Sequence, residues 1–466
     1  MKKSSKFLMG FAALALLGGV VGCGTAECVD NGGDDGSTDV SKGKVLNIRC
    51  WNNEFQQRFR QFYTGYRTTN SDGTDTLYDG TTVRWTINAN DNNGYQIPLD
   101  TALQQQDTVA DDDKIDIFLS EADYIMKYSS LPYTLDVVKD VGLTEDELSD
   151  QYQYTKDIAT SEDGVLKGVS WQAAPGLFAY RSDVAEEVLG TSDPAEVQAQ
   201  LSTWDGFNSV AAKMKNKGYK MLSGYDDAYR VFSNNVSKPW VDENDVVSID
   251  PNIKAWADQT KEYVDDGYCG NTTLWSSEWA ADQGPEGKVF GFFYSTWGIN
   301  FTLLGNSKEA GNSLDQVGNG LYGKYRVCEG PASWYWGGTW IHACEGTDNI
   351  SQIRDIMRDL TCTRTIDASI TRITQDYTNN KLAMQELATD SSYGSDFLGG
   401  QNHIALFAEN AEKIDMKNMS AYDQGCNESY QNAMHDYFAG TVDYATALAN
   451  FKTSLSAKYT NLTYSF

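Results

Sequence analysis

"VLNIRCWNNEFQQRFRQFY", residues 45–63, changes period partway along. Val45, Leu46, Ile48 and Cys50 suit a buried strand, whereas Phe55, Phe59, Phe62, Tyr63 and Tyr66 recur at the spacing of one helical face. Trp51-Asn52-Asn53-Glu54 lies at the junction, where a strand feeding a helix opens onto the crevice of a doubly wound sheet. Polar groups there serve a ligand, or an asparagine caps the helix. Asn53 and Glu54 are candidate ligand contacts; Trp51 fits either a core or a cleft.

Working outward, the grammar repeats. A helix over 53–66 is followed by a strand "TTVRWTI" at 81–87, a helix near 97–107, and "KIDIFLSEADY" at 114–124, whose Ile115, Ile117 and Leu119 give a third strand. Strands alternating with helices predict an α/β chain with a parallel sheet covered on both faces. An apolar run "VLKGVSWQAAPGLFAYRSD" is broken by Pro175-Gly176, and the alternation then restarts. Thr203-Trp204-Asp205 opens a helix closed by Gly218, a strand follows at 219–225, and Asp250-Pro251 opens a helix that stops at Gly267. "KVFGFFYSTWGINFTL" from 288 reads as strand into helix, "YRVCEGPASWYWGGTWIHAC" as an extended run split by Gly330-Pro331, and the last ninety or so residues as largely helical. No internal repeat is visible.

The 466 residues exceed one compact core, and 41% hydrophobic residues suffice for two lobes sharing a cleft. Formal net charge is −28, and loss of the leader with its Lys2, Lys3 and Lys6 takes it to −31. That surface repels phosphate backbones, so nucleic acid is excluded as a partner.

The leader is "MKKSSK", the apolar run "FLMGFAALALLGGVV", then Gly22-Cys23. Residues 1–22 read as a secretory signal peptide, and Cys23 after a small residue resembles a bacterial lipobox cysteine that becomes the lipid-modified (palmitate-bearing) first residue. Glycines interrupt the run, which is shorter than the ~20 residues a bilayer requires. Residues 23–43 are small, polar and acidic, a disordered tether from a cell-membrane anchor. Its "DNGGDDGSTD" lacks the bidentate glutamate of a calcium loop.

Seven further cysteines include no C-x-x-C pair and leave a pairing of Cys328 with Cys344 open. Gly318-Asn-Gly320-Leu-Tyr-Gly323 matches G-x-G-x-x-G, but a loop precedes it and a strand follows, which removes the helix N-terminus that holds phosphate. Three separated histidines, His342, His403 and His435, make no zinc pattern, so neither metal nor cofactor is expected.

Twelve tryptophans remain to be explained. Trp85, Trp204 and Trp256 lie inside regular elements and read as core; Trp51, Trp171, Trp275, Trp279, Trp297, Trp334 and Trp336 stand near polar loop residues. A flat ring faces the apolar side of a pyranose while amides and carboxylates satisfy its hydroxyls. That combination suits a neutral, hydroxyl-rich ligand.

From "VLNIRCWNNEF" through "DIFLSEADYIMKY", "GVSWQAAPGLFAYRSD", "TWDGF" and "FFYSTWGINF" to "GPASWYWGGTWI" and "GGQNHIALF", the chain resembles the extracellular solute-binding lipoproteins of bacterial sugar ABC transporters, the group that includes maltose-binding protein. The order of these segments carries the resemblance, and they look most like the sugar binders of Gram-positive bacteria. It implies a type II periplasmic-binding-protein-like fold: lobe 1 over 44–172 and 329–375, lobe 2 over 173–328 and 376–466. Three crossings near 169–174, 325–330 and 373–378 would join them. It implies a monomeric, non-catalytic receptor that passes carbohydrate to a membrane permease at the outer face of the cell. Carried over by position, Glu121 and Asp123 hold sugar hydroxyls, Trp297 stacks, Trp334 and Trp336 line the cleft, and Trp171 and Gln172 sit at the first crossing. Asn53, Glu54 and Gln401 also match. The segment 268–297 is longer than in a minimal sugar binder and adds stacking sites at Trp275 and Trp279, which favours an oligosaccharide. Two other readings compete: a lipid-anchored glycoside hydrolase using Glu121 with Glu278, and a binder of a peptide or polyamine. A hydrolase needs its carboxylates about 5 to 10 Å apart.

Overall fold

The computed structural model describes residues 44–466, so the signal segment, Cys23 and the acidic tether lie outside the described residues. The chain first makes β1 (Val45–Cys50), β2 (Tyr66–Thr69), β3 (Asp75–Leu77), β4 (Thr82–Ile87), β5 (Ile117–Glu121) and β6 (Val169–Ser170). It then makes β7 (Gly176–Arg181), β8 (Leu222–Gly224), β9 (Val246–Val247), β10 (Cys269–Thr272), β11 (Gly291–Ser295) and β12 (Tyr325–Cys328). It returns for β13 (Thr339–Ala343) and ends near β14 (Thr463–Tyr464).

The first sheet runs β2-β3-β4-β1-β5-β13-β6. Its centre, β4-β1-β5, is parallel as the alternation predicts. Its flanks are antiparallel, which corrects the expectation of an all-parallel sheet. One flank is a polar hairpin that the sequence reading missed. The helix begun at Glu54 ends at Phe62, and Gly65, where an added Cβ would lie 2.4 Å from the Tyr63 ring, lets the chain turn into β2. Asp72 and Asp79 accept the amides of Thr74 and Thr81, and Gly73 and Gly80 take positive φ, so two Asx turns shape the hairpin without any apolar alternation. Asp75, fully buried in it, receives Arg60 Nε at 2.9 Å and Trp85 Nε1 at 2.7 Å.

The second lobe holds β11-β7-β12, antiparallel throughout, beside the parallel pair β10-β8. Every residue of β7 and β11 is buried. The helix Pro251–Asp266 has the ends expected of it, with Asp250 Oδ1 accepting the Asn252 amide and Gly267 at φ 72°. A third small pair, β14-β9, ties the C-terminus to this lobe.

Three segments join the sheets and pair with one another. Trp171 N donates to Thr339 O, Asn379 N to Trp171 O, Ala173 N to Tyr377 O, Trp336 N to Ala174 O, and Gly176 N to Trp334 O at 2.7 Å. The middle crossing therefore falls at 334–339 and not at 325–330. Residues 325–328 are still held in register with β7, Tyr325 opposite Arg181 and Cys328 opposite Phe178. Cys328 is buried in the second lobe and Cys344 just past β13 in the first; both are free, as are Cys50, Cys269, Cys362 and Cys426, so the Cys328–Cys344 pairing is not formed.

Gly176 leaves the crossing under the Trp334 indole. An added Cβ would lie 2.1 Å from the indole, so Gly176→Ala is expected to lower unfolding stability by roughly 1–3 kcal/mol in urea melts. Gly305→Ala, which meets open space, serves as the near-neutral control.

Candidate functional site

The carboxyl ends of β1 and β5 meet the crossing segments and the second lobe. After β1, Asn52 Oδ1 accepts the Glu54 amide at 3.0 Å, so Asn52 shapes the helix entry, while Asn53 is exposed and its side chain makes no capping bond. Trp51 packs edge-on against Tyr95 and Tyr124 in the first lobe. Glu54 turns toward the first crossing: its Oε1 accepts Gln172 Nε2 at 3.2 Å, and Gln172 Oε1 accepts Thr339 Oγ1 at 3.1 Å. One helical turn on, Arg58 donates to Asp376 at 2.6 Å and lies over the Trp171 ring. Burial, and secondarily the charge of Asp376, push the Glu54 carboxyl up to about 7 against the pull of Arg58.

At the end of β5, Glu121 Oε2 accepts the Asp123 amide at 2.8 Å. Asp123 receives Arg230 from the second-lobe helix Tyr229–Ser233 in a bidentate pair at 2.5 and 2.6 Å. That guanidinium lies 5.7 Å over the Trp336 ring. Gln96 Nε2 reaches Gln424 Oε1 at 3.4 Å in a second bond between the lobes. Burial, then the charge of Asp123, raise Glu121 to about 8, with Arg230 opposing. Asp423, close enough to feel both Asp123 and Arg230, is pushed by burial to about 7.

Facing these carboxyls is an aromatic cluster. Trp297 Nε1 donates to Trp336 O at 2.7 Å, and the two rings meet edge-on at 5.1 Å. Trp275 lies parallel to Trp297, centroids 6.2 Å apart and planes 14° off, and tilted to Trp336 at 5.9 Å. The cluster reaches Glu121 across Gly337, where a Cβ would lie 2.8 Å from Trp297 Nε1 and 3.5 Å from Glu121 Oε1. Gly337, at φ 82°, is the residue that admits this approach.

The structure thus brings Glu54, Gln172, Glu121, Asp123, Trp275, Trp297 and Trp336 to one place. Other expected contacts go elsewhere. Trp334 is fully buried against Gly176 and Phe293, and Gln401 spends both ends of its amide on the backbone of Val327, at 2.9 and 2.8 Å. Trp279 is buried behind Trp275 with its indole N–H on Asp227, and Trp171 is buried under Arg58. Arg58, Arg230, Asp376 and Asp423 escaped the sequence reading: a single charged residue within a short helix or loop has no local pattern to distinguish it from a solvated one. Among the described residues no group of three or more His, Cys, Asp or Glu is arranged to hold a metal ion.

A family model for bacterial extracellular solute-binding proteins matches residues 77–349, more than half of the chain. The protein belongs to that family of extracellular solute-binding proteins. No curated protein matches. Among solved structures, an extracellular solute-binding protein of family 1 shares 17% identity at a TM-score of 0.70, covering 88% of this chain and 100% of that one. The galacto-N-biose-/lacto-N-biose I-binding protein of the ABC transporter from Bifidobacterium longum, in complex with lacto-N-biose, gives 14%, 0.62, and 92% and 98%. Maltose-bound MalE3 of T. maritima gives 13%, 0.62, and 89% and 99%. The fold is the mixed α/β fold of MalE-like binding proteins.

The raised carboxyls make stability depend on pH in a defined direction. Free glutamates titrate near 4.3, so from about pH 5 up to about 7 for Glu54 and about 8 for Glu121 the folded carboxyls retain protons that the unfolded chain has released, and stability falls as pH rises through that window. In thermal melts the Glu54→Gln/Glu121→Gln double variant is expected to show a shallower decline than the parent. Asp423 and Asp227, both raised to about 7 chiefly by burial, leave a residual slope.

Proposed function

We propose that the protein is a carbohydrate receptor that closes on a neutral oligosaccharide and delivers it to the permease of an ABC importer. The observation that carries this reading is the Trp275–Trp297–Trp336 cluster set against Glu54, Glu121 and Gln172 at the junction of the lobes. Rings supply stacking to the apolar face of a sugar, and the carboxyls and amide supply partners for its hydroxyls. Asn53 stands at the exposed rim, and Asp123 acts through its pair with Arg230. The solved relatives named above hold lacto-N-biose and maltose in the same fold.

Charge narrows the ligand. The two arginines that reach the site are each committed to an aspartate, Arg58 to Asp376 and Arg230 to Asp123, so a carboxylate on the sugar would enter beside Glu54 and Glu121 without a guanidinium to receive it. Polyamines would suit the acidity, but the aromatic cluster offers more to a pyranose than to an alkyl diamine. The hydrolase reading loses one of its two carboxylates: Glu278 is exposed on the helix Ser277–Asp282, bonded to Ser277 and lowered by local hydrogen bonds, the reverse of what a general acid needs. We place the receptor as a monomer at the outer face of the cell membrane of a Gram-positive bacterium, tethered through a lipid on Cys23; among the described residues no helix is long and apolar enough to cross a membrane.

Calorimetric titration against α- and β-linked glucan, xylan, mannan and galactan fragments tests the reading. Expected are saturable binding of at least one neutral series, no products after prolonged incubation, and loss of binding for the matching uronate-bearing fragment. Trp297→Ala should cost about 2 kcal/mol or more of that binding. A melting temperature indifferent to the whole panel would refute it.

A further inference from the structure

The aromatic cluster extends beyond Trp297 toward solvent. Trp297 begins an irregular helix: Thr296–Gly298 is α-helical, Ile299–Leu303 is a π turn, and Leu304–Asn306 returns to α. Ile299 and Leu303 on that turn are buried, and Phe301 between them is not. Its ring meets Trp297 edge-on at 6.1 Å and 63°. Trp297 is the branch point: Trp336, 8% exposed, meets it on the buried side, and Trp275 (55%) and Phe301 (72%) each meet it separately toward solvent. A solitary exposed phenylalanine would need no explanation. This one ends a continuous track that starts beside Glu121, and it stands on a single π turn, an irregularity that recurs at functional sites.

We infer that Phe301 is an outer stacking subsite for a distal sugar ring, so that the receptor discriminates its ligands by chain length. The inference rests on the carbohydrate reading above. A short glycan rests against Trp297 and leaves Phe301 in water. A longer one continues past Trp297 and covers the Phe301 ring, which adds apolar burial and stacking without any new hydrogen bond. Linkage then matters only through whether the chain can follow the track.

The test is a length series. Malto-, cello-, xylo-, manno- and β-galacto-oligosaccharides of one to six units are titrated calorimetrically into the full chain, the Phe301→Ala variant and the Phe301→Trp variant. For the series that binds, the expected result is equal affinity of parent and Phe301→Ala for the shortest bound member, and a deficit of roughly tenfold, about 1.4 kcal/mol, for the longer members. Phe301→Trp should restore the long-chain affinity. Failure of every series to bind the parent would remove the carbohydrate reading and this inference together. Binding by the parent with no length-dependent deficit in Phe301→Ala would overturn this inference alone, as would a deficit equal at all lengths, which would mean that the ring only props Trp297. Unchanged binding with impaired uptake in reconstituted vesicles would assign Phe301 to permease contact and overturn it as well.

Discussion

The segment 171–176 is the constraint on which the two lobes depend. It lies between two other crossings and hydrogen bonds to both, to 334–339 on one side and to 377–379 on the other. Buried peptide groups must be paired, so none of the three can swing without exposing the donors of its neighbours. Side chains reinforce the arrangement: Ser170 Oγ donates to Thr339 O, and Asn379 reaches Ser170 O and Thr155 Oγ1 while accepting the Tyr152 amide. Any rotation of one lobe on the other would therefore have to bend the three crossings together. Gln172 stands on the central crossing and bonds Glu54, so a ligand that engages Glu54 also touches the element that bends.

Electrostatics set the terms on which the lobes meet. The Asp123–Arg230 pair spans them with good bidentate geometry, yet it takes two charges largely out of water, and the Coulombic gain offsets that cost only in part. Close by, Glu121 is crowded by Asp123, and Glu54 by Asp376. Both glutamates are held well above the usual carboxylate range, and a protonated carboxyl can donate to one hydroxyl while accepting from another. On the proposed reading, a neutral polyol would add partners for these groups without adding charge, and its differential contact would be what favours a closed arrangement over an open one.

Local signals in the sequence were sufficient for β1, β4 and β5, where apolar alternation and flanking helices agree, and for the helix Pro251–Asp266, whose capping aspartate, N-terminal proline and terminal glycine are all adjacent in the chain. Strand direction was not legible. "TWIHA" and "GLFAYR" are buried at every position, and a run without alternation carries no record of whether its neighbour is parallel. The hairpin of β2 and β3 is edge structure built from threonines and Asx turns, so it shows no hydrophobic period at all. At the site, the residue types were readable and their allocation was not. Trp279 and Trp275 are four apart on either side of a helix start, but Trp279 is tied down by Asp227, fifty-two positions earlier in the chain. Gln401 is likewise claimed by the backbone of Val327. Such pairings exist only once the fold has formed.

Trp275 states the relation between strain and recognition most plainly. It sits at φ 69°, in the left-handed region that a bulky residue enters at a cost of order 1–3 kcal/mol. Glycine would occupy that position without strain. The next residue, Ser276, accepts the Trp279 amide and starts a helix, so the backbone reverses just where the indole is presented. Contacts with Trp279, Trp297 and Trp336 hold the ring in place, yet more than half of it stays in water. Folding alone gives little reason to put the largest side chain at a position that suits the smallest and then leave it uncovered. The cost is understandable if the ring acquires a partner that is not part of the chain, and the parallel Trp297 behind it sets the plane in which that partner must lie.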